Sequence, residues 1–242
     1  PEAGSTRMRE SINKGITEEH VYNAMELAAA AGMKNIKLYY MIGLPGEEDV
    51  DIEEMLAMIK RIRTKMDEAG NKGELVISVN GFVPKPFTPY QWAPLCNPNT
   101  LKRRFKMLND GLKKEKRIKL ITESLKESVV QAVLARGDRR LGKVLARAME
   151  LGARLDGWDE YFNYSKWFDA FNTCGVDTDF YTVRGYGEEE ILPWDTIDVG
   201  ITKKFLKRER SRAYEGKITP DCREGCAGCG ANRLLKEVDC DA

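Results

Sequence analysis

Two short stretches constrain this chain more than any others: Pro1-Glu2-Ala3-Gly4-Ser5 at its start, and Ile42-Gly43-Leu44-Pro45-Gly46-Glu47 further on. Each reads as the exit of a β-strand into a tight turn that leads to an amphipathic helix. In open α/β sheets and in βα barrels, ligands bind at this strand-to-helix edge. The two turns are therefore expected to share one small-molecule site. The first turn stands at the very start of the chain with no strand before it. That leads to the expectation that part of the site is supplied by polypeptide outside this chain.

The residues around the turns alternate between helix and strand periods. Thr17 is placed to cap a helix running to about Ala31, with Glu18 and Glu19 in its first turn and Gly32 as its stop. His20, the single histidine, has no neighbouring ligand types and reads as a solvated surface residue. Lys34 to Ile42 follows as a strand with Ile36, Leu38, Tyr40 and Ile42 on one face. After the glycine-proline turn, Ile52, Met55, Leu56, Ile59, Ile62 and Met66 mark the cleanest helical stripe in the sequence. Glu74 to Val83 is a second strand. Its one face is apolar, and the other carries Val76, Ser78, Asn80 and Phe82, a mixture that suits a cleft better than a sealed core. Strands that alternate with helices imply parallel pairing with right-handed crossovers.

Pro84-Lys85-Pro86-Phe87-Thr88-Pro89-Tyr90-Gln91-Trp92 cannot be a central strand and is an ordered loop. It either lines a substrate mouth or packs its own aromatics. Asn80 and Lys85 are the candidates for touching a substrate. Between Leu101 and Leu120 nine Lys and Arg face two acids, a surface that either meets phosphates or is a solvated helix face. Ile118 to Ile121 is a possible third strand.

From Glu123 the pattern becomes helix after helix. One spans Leu125 to Ala135, and a second is capped by Asp138, with Leu141, Val144, Leu145, Ala148 and Leu151 in register. Trp158, Tyr161, Phe162, Trp167, Phe168 and Phe171 are expected to form a core. Thr202 is expected to cap a last basic helix reaching about Glu215. The division read from these changes is 1–122, 123–216 and 217–242: an α/β half-barrel, a helical region and a cysteine-rich tail.

Net charge of +1 at pH 7 excludes global electrostatic attraction to nucleic acid, and no apolar run is long enough for a membrane span. With no signal peptide visible, the chain is expected to be cytoplasmic and free of membranes. Four of the six cysteines crowd the C-terminus: Cys222, Cys226, Cys229 and Cys240. The first three form C-x3-C-x2-C among glycines, a spacing at which three thiolates can converge on zinc or on an iron–sulfur centre. Cys240 or an outside ligand is available as the fourth. Spacing alone does not separate the two metals.

Three segments together carry a family likeness. Pro1-Glu2-Ala3-Gly4-Ser5-Thr6-Arg7-Met8-Arg9, Ile12-Asn13-Lys14-Gly15 and Ile42-Gly43-Leu44-Pro45-Gly46-Glu47 resemble the second half of the radical S-adenosylmethionine barrel. The likeness is strongest to the branch that carries an N-terminal cobalamin-binding domain and includes methylthiotransferase-like relatives. Ala135-Arg136-Gly137-Asp138-Arg139-Arg140, Asp156-Gly157-Trp158 and Leu192-Pro193-Trp194-Asp195 extend it over nearly the whole chain.

The resemblance implies the C-terminal half of a partial (βα) barrel of the TIM type. It also implies an enzyme in which a four-iron–four-sulfur cluster cleaves S-adenosylmethionine reductively to a 5′-deoxyadenosyl radical. Its partners would be the N-terminal half of the same protein, which would hold any cobalamin, and an electron donor such as flavodoxin or ferredoxin. By the same resemblance Glu2 and Ser5 would meet the ribose and methionine, Arg7 the methionine carboxylate, and Ile42 and Gly43 the adenine. The family's own cysteine motif follows the first barrel strand, upstream of anything present here. The C-terminal triplet has the same spacing, but Gly228 stands where the family places an aromatic, and no barrel follows Cys229. The tail is therefore read as an auxiliary site, and the chain as inactive by itself. The competing reading is a zinc- or iron–sulfur-stabilised module that binds RNA or serves as scaffold.

Overall fold

A computed structural model describes residues 1–234, so Cys240 lies outside the described residues. The chain divides into two compact units. The first comprises residues 1–82, 96–123 and 209–221; the second comprises 83–95, 124–208 and the tail from 222. The proline-rich loop lies within the second unit, and the segment 209–221 lies within the first.

The first unit is a mixed α/β structure. After helices α1 (Thr6–Ser11) and α2 (Glu18–Ala30) come β1 (Ile36–Ile42), α3 (Asp49–Glu68), β2 (Leu75–Gly81), α4 (Pro98–Leu112) and β3 (Ile118–Thr122). The three strands form one sheet in the order β1-β2-β3, parallel throughout, with Ile42 opposite Gly81 and Val79 opposite Thr122. Parallel pairing follows from the helices that intervene between successive strands. The expected face of β1 is the buried one: Leu38, Tyr40 and Ile42 lie inside with Leu75, Ile77 and Val79 of β2. The α3 stripe supplies the opposing layer through Ile52, Met55, Met58, Ile59, Ile62 and Met66, each 1% exposed or less. Helix α3 packs on both α2 and α4. Six central side chains of Ile or Met in one helix bring roughly 10–20 kcal/mol of gross transfer free energy, which makes α3 the main anchor of this unit.

The short helix α1 is the element that sequence periodicity does not reveal, since six residues make fewer than two turns. Ser5 caps it, accepting a hydrogen bond from the Met8 amide at 3.1 Å. Helix α2 starts where expected, and His20 is exposed, yet it has a local task. Its Nδ1 accepts from the Thr17 amide while the Thr17 hydroxyl accepts from the His20 amide, both at 3.2 Å, a reciprocal cap.

The second unit is helical: α5 (Leu125–Arg136), α6 (Leu141–Glu150), α7 (Tyr164–Thr173), α8 (Thr178–Thr182) and the start of α9 (Lys203–Tyr214). One apolar cluster joins Val130, Val133, Leu141, Val144, Ala148, Trp167, Ala170, Phe171 and Tyr181. The expected aromatic core is correct only in part. Trp167 and Phe171 are buried, but Trp158, Tyr161 and Phe168 are about half exposed or more. The first two lie in the irregular segment between α6 and α7, where no helical face carries them inward. The aromatics of the proline-rich loop pack inward instead. Trp92 joins Tyr186, Leu192, Trp194 and Leu206, and Gln91 accepts from the Trp194 indole at 2.7 Å. Among the described residues no helix is long and apolar enough to cross a membrane.

Asp138 does not cap α6 directly. Its carboxylate accepts from the Arg140 amide at 2.9 Å, from the Arg140 guanidinium, and from the Tyr181 hydroxyl at 3.1 Å. The Arg140 guanidinium, chief among these donors, holds the Asp138 carboxyl down to about 2, while burial opposes the shift. A carboxyl whose folded pKa lies below its unfolded value contributes stability above the unfolded pKa and loses it as pH falls toward the folded one. Denaturant melts of the wild type and of Asp138→Asn should therefore differ most above about pH 4 and converge as the pH approaches about 2. A gap that does not narrow on acidification would show that the carboxylate charge is not what Asp138 contributes.

Candidate functional site

The two turns meet in the first unit. The Glu2 amide donates to the Tyr39 carbonyl at 3.1 Å, and the Glu2 carbonyl accepts from the Met41 amide at 2.8 Å. Glu2 thus forms a parallel bridge to Tyr40 on the side of β1 away from β2. The opening residues run as one further strand position beside β1, and they exit at its carboxyl end. Glu2 has φ 72°, a left-handed conformation that costs a residue with a side chain about 1 kcal/mol or more. Its two sheet hydrogen bonds hold it there.

Three charged or polar side chains lock this first turn to the second. Asp51, in the first turn of α3 and 2% exposed, accepts from the Ser5 hydroxyl at 2.7 Å and from the Glu48 amide at 2.7 Å, and it pairs with Arg7. Arg7 also donates to the Gly46 carbonyl at 3.0 Å. Arg9, 1% exposed, gathers the turn from inside. Its guanidinium donates to the Gly4 carbonyl at 2.6 Å, the Ala3 carbonyl at 3.3 Å, the Thr6 hydroxyl at 3.0 Å and the Ile16 carbonyl at 2.9 Å. A buried guanidinium is tolerable because so many of its fork donors find oxygens.

The second turn has its own lock. Glu47 is buried and accepts from the Gly43 amide at 2.5 Å and from the Arg104 guanidinium at 2.7 Å, while Arg104 also donates to the Glu47 carbonyl at 2.5 Å. Burial pushes the Glu47 carboxyl up to about 7, against the opposing pull of the Gly43 amide and of Arg104. Gly43 and Gly46 have φ of 85° and 79°, so both bends require glycine. At Gly43 a Cβ would also fall 2.7 Å from Leu101 and 2.8 Å from Cys96.

The structure thus brings Glu2, Ser5, Arg7, Ile42 and Gly43 into one region, and it commits several of them internally. Ser5 is 1% exposed, and its hydroxyl is used by Asp51 and Met8. Ile42 is fully buried, and its carbonyl accepts from the Phe82 amide at 2.8 Å. The Gly43 amide serves Glu47. What faces solvent is the Glu2 carboxylate, with 38% of its side chain exposed and a loose pair to Lys14 at 3.5 Å, and the Arg7 guanidinium, with 51% exposed. Asn80, opposite Met41 near the end of β2, is exposed in the same unit. Lys85 belongs to the second unit, where it donates to Gln131 at 2.9 Å. Asp51, Arg9 and Arg104 are the residues that sequence reasoning missed. Only Asp51 had a local signal, its position three residues beyond Glu48 at the start of a helix.

The basic segment is largely neutralised. Of its nine cations, Arg103 and Arg104 pair with Asp49 and Glu47, Lys106 and Lys113 with Asp110, and Arg117 with Asp67. Lys102, Lys114, Lys116 and Lys119 have no acidic partner among the described residues.

In the tail, Cys222 is exposed and Cys226 and Cys229 are half-buried. Among the described residues no three His, Cys, Asp or Glu side chains are grouped closely enough to hold a metal ion. Beside the Gly43 turn, among the described residues, the thiol in contact is Cys96, which burial pushes up. A single cysteine does not make the ligand set of a four-iron cluster, so the residues present at the strand ends do not fit that group.

No protein-family model matches the chain, and no solved structure matches it. An uncharacterised protein of Methanocaldococcus jannaschii is 38% identical over 145 residues, which is 60% of this chain and 31% of that protein. The match therefore spans about a third of the relative's length.

Two outcomes are expected from this geometry. Arg104→Met strands the Glu47 carboxyl without its cation and should cost about 3–5 kcal/mol, most of it recovered in Glu47→Gln/Arg104→Met. Because a raised carboxyl pKa makes stability fall as pH rises toward it, the Arg104→Met deficit should grow between about pH 5 and pH 8, and the double variant should show no such growth. Urea melts across that range read both effects. Gly4→Ala would put a Cβ 2.1 Å from Met55 Cβ and should cost about 2–3 kcal/mol, whereas Gly15→Ala, with nothing within 4 Å of its added Cβ, should leave the urea midpoint unchanged.

Proposed function

We propose that this chain is the C-terminal half of a radical S-adenosylmethionine barrel and that its first unit supplies the nucleoside-facing part of the cofactor site. The observation that carries the reading is the parallel bridge of Glu2 to Tyr40. It sets the opening turn next to the Gly43–Glu47 turn at the carboxyl ends of parallel strands, where α/β folds bind their ligands. The order of β1, α3, β2, α4 and β3 supports it further, as consecutive βα units of a partial barrel.

The roles left to this chain's own residues are modest. The Glu2 carboxylate is free to accept from ribose hydroxyls, and the outward part of the Arg7 guanidinium is free to meet a carboxylate. Ser5, Asp51 and Arg9 hold the turn that presents them, so Ser5 acts by position rather than by contact. When bound, the cofactor and its cluster supply the radical chemistry, and the protein orients and shields them. The ligands of that cluster, any cobalamin and the electron donor lie with other polypeptide. The competing RNA-binding reading draws less support, because five of the nine basic residues face acids.

The test uses the longer protein that contains this sequence, reduced anaerobically with dithionite in the presence of S-adenosylmethionine. Release of 5′-deoxyadenosine and methionine is expected, and Glu2→Gln should weaken cofactor binding about tenfold, equivalent to about 1.4 kcal/mol. The chain on its own should leave the cofactor intact. Cleavage by the isolated chain, or an intact cofactor in a longer protein whose cluster is spectroscopically complete, would overturn the reading.

A further inference from the structure

The cysteine tail has a geometry that the barrel reading does not use. The Cys226 sulfur accepts a hydrogen bond from the Gly228 amide at 3.3 Å, and the Cys229 sulfur accepts one from the Ala231 amide at 3.4 Å. Both bonds run from the residue two positions ahead, so the C-x2-C segment contains two successive turns of the same kind, each curled around a sulfur. Gly228 and Gly230 make these turns possible with φ of 64° and 95°. Backbone N–H groups aimed at sulfur offset the negative charge of a metal-bound thiolate, and they are one of the protein's levers on thiolate-held centres.

The segment is also fixed to the protein beneath it. The Cys229 carbonyl accepts from the Thr202 amide at 2.9 Å, at the residue whose hydroxyl caps α9. Arg208, further along α9, donates to the Ala227 carbonyl. Gly200 and Gly230 approach so closely that a Cβ on Gly230 would lie 2.9 Å from the Gly200 carbonyl oxygen. Two of the three sulfurs are thus held on an anchored double turn, and Cys222 lies on the exposed approach to it.

We infer that Cys222, Cys226 and Cys229 form a three-thiolate site for a thiophilic metal centre, zinc or an iron–sulfur cluster, built on the double turn at the start of α9. Zinc binding exchanges three thiol protons for the ion with no electron transfer, and a cluster assembled from equal ferrous and ferric iron with sulfide likewise needs no oxidant, since the mixed-valence iron is supplied as such. In this structure the three sulfurs are not grouped closely enough to hold an ion, so the tail closes around the metal as it binds and binding is coupled to ordering. Thiolate donors select soft metals over magnesium or calcium. This inference rests on tail residues alone and stands or falls separately from the barrel reading.

The test takes the full chain, purified anaerobically, and loads it in separate arms with zinc and with equal ferrous and ferric iron plus sulfide. Each sample is gel-filtered and assayed for metal, for visible absorption and for thiols reactive toward a disulfide reagent. Retention is expected in at least one arm, as about one colourless zinc per chain or as a brown cluster, with about three fewer reactive thiols than in chelator-treated protein. Cys226→Ser and Cys229→Ser should each weaken retention at least tenfold, while Cys174→Ser leaves it unchanged. Circular dichroism checks that the variants fold, and thiol protection in the wild type decides the matter independently of them. No retention in either arm, or full retention by Cys226→Ser/Cys229→Ser, would overturn the inference.

Discussion

The first unit depends on a single buried carboxylate. Asp51 sits in the opening turn of the helix that carries most of the core, and it accepts from Ser5 and Glu48 and pairs with Arg7. Those donors come from the turn at the start of the chain and from the turn that follows β1. A carboxylate removed from water is costly unless its lone pairs are filled, and here the filling is done by the two segments that must be brought together. The same atoms therefore satisfy the acid and fix the strand-end geometry.

Around that tie, burial and backbone direction act together. The Met-rich face of α3 is sealed against the sheet, so the helix cannot shift without opening the core. Gly4 lies against Met55 with no space for a Cβ, which places the opening turn directly on the helix surface. Arg9 closes the turn from within by supplying donors to carbonyls that would otherwise be buried without partners. A stiff turn with a left-handed Glu2 at its head is the consequence, and it presents the Glu2 carboxylate at the edge where parallel strands end.

Much of this is legible in the amino-acid sequence. The strands β1 and β2, the stripe of α3, the cap at Thr17 and the bends at Gly43 and Gly46 all follow from local pattern, because period, capping and turn chemistry act over a few residues. The pairings were not legible. Nothing local marks Arg104 as the partner of Glu47, since it sits in a run of cations that reads as one solvated face; only the return of α4 past the turn after β1 singles it out. The aromatic segment around Trp158 failed for the converse reason. Its composition is that of a core, but with no helix to set a period its side chains are left facing water.

The amino-acid sequence by itself determined where strands, helices and glycine bends would fall, and it clustered four cysteines at one end of the chain. Those are consequences of short-range sterics and of side-chain periodicity, which need no partner. Tertiary structure alone decided which charges would be buried together, that Ser5 would spend its hydroxyl on Asp51, and that the sulfurs of Cys226 and Cys229 would each face a backbone amide. Such outcomes depend on groups far apart in the chain, or on φ angles set by anchoring elsewhere, and only packing brings them within reach of one another.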